Sequence, residues 1–186
     1  FKVGSGDFVS PLSMELLSYS HRLDMRRGVV ERSLVCRDKL GRITRIHSSR
    51  LASMADPHIC ALQYELTPCN YSDRITIRSS LDGDVINGGV ARYRQLNSRH
   101  LSVVDGGEAP DGLDNEMVLH VETSRSLYQI VMAGRTTVFE NKSPMPLTRL
   151  LTRKGGLISH EMTFNARENT TYSVEKLVTV HTSLDV

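Results

Sequence analysis

At 186 residues the chain is long enough for one domain with its own core and short for two. Charges of both signs are interspersed and leave a net charge of +2, so no basic face is implied and nucleic acid is not an expected partner. No apolar run approaches the roughly 20 residues of a membrane helix, and no charged-then-apolar leader precedes the rest, so no membrane association is expected.

The opening FKVGSGDFVSPLSM starts at Phe1 and reads as the interior of a longer protein, so the chain is expected to be a fragment. Met14 to Tyr19 fits either a short strand or one helical turn. From Val29 to Arg37, Val30, Leu34 and Cys36 share one face and Glu31, Ser33 and Arg37 the other, the period of a half-buried strand. Asp38-Lys39-Leu40-Gly41 supplies a turn into Arg42 to Arg50. That run looks polar on both faces and is expected to border solvent or another domain. After Asp56-Pro57, Ile59 to Thr67 alternates cleanly until Pro68, which completes a three-strand meander.

Ile75 to Arg78 is a further strand, and Asn87-Gly88-Gly89 carries the Asn-Gly dipeptide of tight hairpins. Between 91 and 100 the text is ARYRQLNSRH. Arg92, Arg94, Asn97, Arg99 and His100 form a polar cluster whose forked guanidinium donors suit an anion or sugar hydroxyls, with a solvated loop as the plainer reading. Asp105 to Asp114 is rich in Gly, Asp and Pro and is expected to be a long loop. Strands resume at Glu116 to Thr123, Ser126 to Ala133, Arg135 to Glu140, Gly156 to Phe164 and Thr171 to His181. Short strands bounded by Gly, Asn and Pro, with no helix of a dozen residues, predict an all-β antiparallel sandwich in a single domain spanning 1–186.

Candidate chemistry is sparse. Ser48, Ser49 and Ser53 lie near His47 and Asp56, but no strained nucleophile elbow surrounds a serine. His58 reads as a structural turn histidine, with ligand or base roles as the sharper alternatives. Glu122, Glu140, Glu161 and Glu175 sit on separate strands, so a glycosidase-type carboxylate pair has no support from spacing. Cys36, Cys60 and Cys69 form no C-x-x-C pair and read as reduced structural thiols of a cytoplasmic protein. The N-x-S/T triplets at Asn70, Asn141 and Asn169 read as chance matches. No catalytic residue, metal ligand or cofactor is expected.

The segments LDMRRGVVERSLVCRDKLGRITRIHSSRLASMADPHICALQYELTPCN, SSLDGDV and NGGVARYRQLNSRHL resemble the amino-terminal domain of glycoside hydrolase family 65. The D-x-x-G-R turn from Asp38 to Arg42, the run Arg50 to Met54 and the Asp56-Pro57-His58 corner carry the resemblance almost continuously from Arg22 to Pro68. That family includes maltose, trehalose and kojibiose phosphorylases and some trehalases. The resemblance implies a large supersandwich of the galactose-mutarotase kind, here lacking its first strands and so left with an open edge. It implies a non-catalytic domain that packs on an (α/α)6-barrel, where the catalytic glutamic acid and the phosphate or water site reside. It further implies α-linked disaccharides as substrates of the longer enzyme, phosphate as co-substrate of a phosphorylase, a dimeric or other homo-oligomeric state, and the 92–100 cluster as a contributor to the substrate rim. The alternatives are a free-standing carbohydrate-binding module, which the absence of Trp disfavours, and mutarotase-like catalysis, which rests on fold analogy alone.

Overall fold

The computed structural model describes residues 1–88, 98–109 and 116–185. In chain order the elements are β1 (Lys2–Val3), a 3-10 turn (Pro11–Ser13), β2 (Glu15–Asp24), β3 (Val29–Arg37), β4 (Ile43–Ala52), β5 (Ile59–Pro68), β6 (Asp73–Asp82), β7 (Leu101–Glu108), β8 (Glu116–Thr123), β9 (Gln129–Glu140), β10 (Ser143–Pro144), β11 (Arg149–Lys154), β12 (Leu157–Ala166) and β13 (Tyr172–Thr182). They form a four-stranded sheet ordered β1-β6-β12-β11 and a nine-stranded sheet ordered β2-β3-β4-β5-β13-β9-β8-β7, with β10 paired to β9. The expected all-β antiparallel sandwich is the observed architecture.

Strand alternation decides what lies between the sheets. Leu34 and Cys36 on β3, Ile46 on β4, Leu66 on β5 and Tyr172 and Val174 on β13 are buried on one face of the wide sheet. Opposite them stand Val3, Ile75, Ile77, Met162 and Phe164 of the narrow sheet. The Phe164 and Tyr172 rings meet across the gap with centroids 4.7 Å apart. A second apolar cluster joins Leu81 and Ile158 to Met117, Leu119 and Val121 of β8. Each such side chain contributes about 1.5–3 kcal/mol by leaving water.

Between the two clusters runs a polar seam. The Ser79 and Thr136 hydroxyls meet at 2.7 Å, and Lys176 Nζ donates to the Ser80 carbonyl at 2.5 Å. Burial pushes the Lys176 ammonium down to about 8. His160 lies in the same seam, fully buried, with neither ring nitrogen hydrogen-bonded.

Several elements differ from the sequence expectation. Of the two readings left open for Met14 to Tyr19 the strand holds, but it is longer: Glu15 opens a ten-residue β2, exposed along all but its last residue, and Met14 precedes it. The expected loop from Asp105 is strand through Glu108. Gly106 contributes to this: a Cβ there would stand 3.0 Å from Leu119 Cδ1 and 3.4 Å from Ile158 Cγ2, so its bare backbone lets the strand lie close against the core. Ser126 to Ala133 and Arg135 to Glu140 merge into the single β9, because Gly134 is a contact point for the Leu81 side chain rather than a break. β4 is not polar on both faces. Thr44 and Ile46 are buried, and Thr44 Oγ1 lies 2.9 Å from Tyr71 Oη.

Candidate functional site

The meander from Arg22 to Asn70 owes its turns to side-chain caps. Asp38 Oδ1 accepts from the N–H groups of Leu40 and Arg42 at 2.9 and 3.0 Å, and Oδ2 accepts from Arg42 Nε at 2.7 Å. Burial raises the Asp38 carboxyl, but the Arg42 side-chain hydrogen bond and the two backbone donors outweigh it and hold the group below the usual carboxylate range. Gly41, at φ +79°, takes the left-handed step that closes the turn. At the next corner Asp56 Oδ1 accepts from His58 N at 2.9 Å, while Ser53 Oγ accepts from Asp56 N at 3.0 Å. These residues hold the chain path rather than a substrate.

Of the cluster read from the sequence, Arg92, Arg94 and Asn97 lie outside the described residues. Arg99 pairs across from Ile86 and donates from Nη1 to Asp84 Oδ1 at 3.0 Å. The other Asp84 oxygen accepts from Gly156 N at 2.7 Å, so this arginine is anchored to the β6 and β12 turns. His100 is exposed, and its carbonyl accepts from Ser124 N at 2.9 Å. The structure therefore places Arg99 and His100 side by side at the entry to β7.

The other candidates do not converge on chemistry. His47 Nδ1 lies 2.8 Å from Ser33 Oγ, with Glu65 opposite His47 in register. The surrounding backbone N–H groups are spent in the sheet ladder, so this row has no oxyanion donors. Ser48 and Ser49 point to opposite faces of β4. Glu122 accepts from the Gln129 amide, Glu161 from Arg78 at 2.6 Å, and Glu140 from Arg167 at 2.6 Å and Tyr172 Oη at 3.1 Å. The Arg167 hydrogen bond, then that of Tyr172, holds Glu140 low. Glu175 is exposed. No two of these four carboxylates are cross-strand neighbours.

One grouping was invisible in the sequence. His58 and His181 stack with centroids 4.2 Å apart and planes 16° apart, and Asp185 brings a carboxylate within 4.8 Å of both. His58 Nδ1 lies 2.8 Å from the Val180 carbonyl. An imidazole lone pair lies in its ring plane, so two near-parallel rings direct theirs side by side rather than at one ion. The trio instead fastens the Asp56 corner to the end of β13.

What remains is a surface. On the wide sheet the face that carries the core continues past the narrow sheet toward β2, and there it presents Leu23, Val30, Leu62, Cys60 and Val178 beside Arg50 and Lys176. Sequence reading missed this grouping because its members sit on five strands.

A wide antiparallel sheet facing a narrow one defines an all-β sandwich domain. The chain matches the model of "Glycosyl hydrolase family 65, N-terminal domain" over residues 1–186, and it belongs to that family. It is 32% identical over 185 residues to an uncharacterized glycosyl hydrolase of Mycobacterium tuberculosis, covering 100% of this chain and 14% of that protein. It is 27% identical over 189 residues to kojibiose phosphorylase of Thermoanaerobacter brockii, covering 97% of this chain and 23% of that protein. The solved structure of a "putative kojibiose phosphorylase from human microbiome" superposes with a TM-score of 0.74 at 15% identity, over 92% of this chain and 20% of that one. The chain thus spans between 14% and 23% of the length of these curated relatives. Among the described residues no helix is long and apolar enough to cross a membrane.

Proposed function

We propose that the chain is a non-catalytic sandwich domain of a longer enzyme that cleaves α-glucosidic disaccharides by phosphorolysis or hydrolysis. The carrying observation is the match to the family's N-terminal domain along the whole chain while it spans under a quarter of each relative's length. In this reading it packs on an (α/α)6-barrel, which supplies the catalytic acid and the phosphate or water site. The names of the relatives, among them kojibiose, trehalose and nigerose phosphorylases, support the substrate class. A homo-oligomeric, cytoplasmic parent is part of the same reading. The three free thiols and the long exposed edge of β2 support it. Arg99 and His100, together with Arg92, Arg94 and Asn97, are the residues this reading assigns to the substrate rim.

The competing reading is a free-standing carbohydrate-binding module. Such modules grip sugar rings on flat aromatic platforms, and this chain has no Trp, 6 Tyr and 4 Phe. Tyr71, Phe164 and Tyr172 are buried in the core. Titration calorimetry of the chain with kojibiose, trehalose and maltose separates the two. The supporting-domain reading expects no saturable heat up to millimolar sugar, and saturable binding to the isolated chain would favour the module.

A further inference from the structure

The narrow sheet has a second face, turned away from the core, and its side chains are of a different kind. Along β6, Ile75, Ile77 and Leu81 are buried toward the wide sheet, while Arg74, Thr76 and Arg78 fall on the alternate positions. One row crosses three strands in register on that outer face: Lys2 of β1, Thr76 of β6 and Thr163 of β12. With Ser5, Arg74 and Thr148 these residues line a polar groove of about 640 Å³. That volume lies within the range of about 300–1,000 Å³ of small-molecule sites.

Charge in the groove is not balanced. Its one lining carboxylate, Glu161, accepts from Arg78 Nε at 2.9 Å and from Nη2 at 2.6 Å. The Arg78 guanidinium is in turn stacked on Phe8, 3.6 Å from the ring centroid, so that ion pair is complete. Asp73, beside Arg74 in the chain, is held by Arg42 Nη1 at 3.3 Å. Lys2 Nζ lies 5.0 Å from the same Phe8 centroid and has no carboxylate partner among the described residues. The Arg74 guanidinium likewise has no acceptor among the described residues. Two cations therefore line one groove without a counter-charge.

Thr76 adds a directional group. It is 5% exposed, and its hydroxyl lies 2.9 Å from that of Thr163. Two hydroxyls carry two protons and the bond between them uses one, so the pair keeps one O–H donor with no acceptor among the described residues. Whatever enters the groove, water or ligand, has to accept from it.

We propose that this groove binds a phosphoryl group, as inorganic phosphate or as a phosphate monoester, between the Lys2 ammonium, the Arg74 guanidinium and the Thr76 and Thr163 hydroxyls. The guanidinium supplies a fork that matches two phosphate oxygens, the ammonium a point charge, and the hydroxyl pair the remaining donor. Two positive charges answer a phosphoryl group that carries about −1.5 to −2 near neutral pH. A carboxylate ligand would leave one of them unanswered, and a neutral sugar both. The site belongs to this chain's own residues and does not depend on the supporting-domain reading.

Calorimetric titration of the chain with inorganic phosphate and, separately, with glucose 1-phosphate at constant ionic strength reads the site. Each is expected to bind saturably, one per chain, with half-saturation below about 10 mM. Acetate should bind at least about fivefold more weakly, for want of the second charge. Arg74→Gln and Lys2→Gln should each weaken phosphate binding about tenfold, and Arg74→Lys by less, since it keeps the charge and loses the fork. Arg45→Gln removes the same charge from an exposed position on the wide sheet and should leave binding unchanged. Circular dichroism melts establish that each variant is folded. Tighter binding of glucose 1-phosphate assigns the groove to a monoester, and equal or tighter binding of inorganic phosphate assigns it to the free anion. Absence of saturable binding to the folded chain, or equal losses in Arg74→Gln and Arg45→Gln, would overturn the proposal and leave the supporting-domain reading standing. Disaccharide cleavage by the chain alone would overturn that reading without touching the groove.

Discussion

Leu66→Ala is expected to lower the unfolding free energy by about 3 kcal/mol, within the range of about 2–5 kcal/mol for truncating a buried leucine. Leu66 is 0% exposed and links two parts of the core. Ile46 stands beside it in register on β4, Tyr172 beside it on β13, and the narrow sheet lies above. Its truncation leaves a cavity bounded by two sheets that hydrogen-bonded ladders keep apart, so little collapse is possible. At roughly 2–4 °C per kcal/mol for a chain of this size, the midpoint should fall by about 6–12 °C. Leu51→Ala is the control, since Leu51 is 41% exposed and its loss should fall within about 0.5 kcal/mol. Urea unfolding followed by far-ultraviolet dichroism reads both. Equal, small effects would mean that the sheets do not pack as described.

His160→Met should raise stability at neutral pH by about 1–3 kcal/mol, the cost of a buried polar group without a hydrogen-bond partner. The replacement should also flatten the acid limb of the stability profile. Burial, then the nearby Arg149 guanidinium, pushes the His160 imidazole below its usual range, while Glu108 opposes the shift. Those two groups, on β11 and β7, are the charges that act on the ring. With the folded value depressed, the unfolded chain binds this proton first as pH falls. Stability attributable to the neutral ring is complete above about pH 6.5 and declines below it, by at most about 1.4 kcal/mol per pH unit. The difference between wild type and variant, measured from pH 7.5 to pH 5, isolates this histidine from the other six. Parallel profiles would show that His160 is solvated or partnered in solution.

The strands with an unbroken period of two were legible from the residues alone. β8 alternates half-buried and buried positions along most of its length, β3 buries Leu34 and Cys36 and β13 buries Tyr172 and Val174 at alternate positions, and the turns around β4 announce themselves through Asp38-to-Gly41 and Asp56-Pro57. Strands were lost where that period is interrupted or irrelevant. The register of β2 shifts between Leu16 and Ser18, so Leu16, Tyr19 and Leu23 share a face without sharing a simple spacing. Gly134 looks like a break because sequence cannot show the Leu81 side chain lying against it. Asp105-Gly106-Gly107 has the composition of a loop, yet its glycines are what let β7 lie on the core.

The site was legible only as far as the local chain is. Arg99 and His100 are neighbours in sequence, but the engagement of Arg99 with Asp84, 15 residues away, has no spacing rule. The grouping of Arg32, Arg50 and Lys176 on one face depends on three ladders being in register at once. Periodicity assigns each of these residues to a side of its own strand, and it cannot say which sides coincide. In the same way the His58 and His181 stack joins the start of β5 to the end of β13, a contact that exists only after those strands pair.

The central claim is that this sandwich supports chemistry performed elsewhere, and an assay on the isolated chain tests it most directly. The chain at micromolar concentration is incubated with kojibiose or trehalose, with and without inorganic phosphate, and glucose and glucose 1-phosphate are quantified against buffer. The account predicts no release above the buffer rate under any of these conditions. Turnover that scales with chain concentration and survives further purification would contradict it.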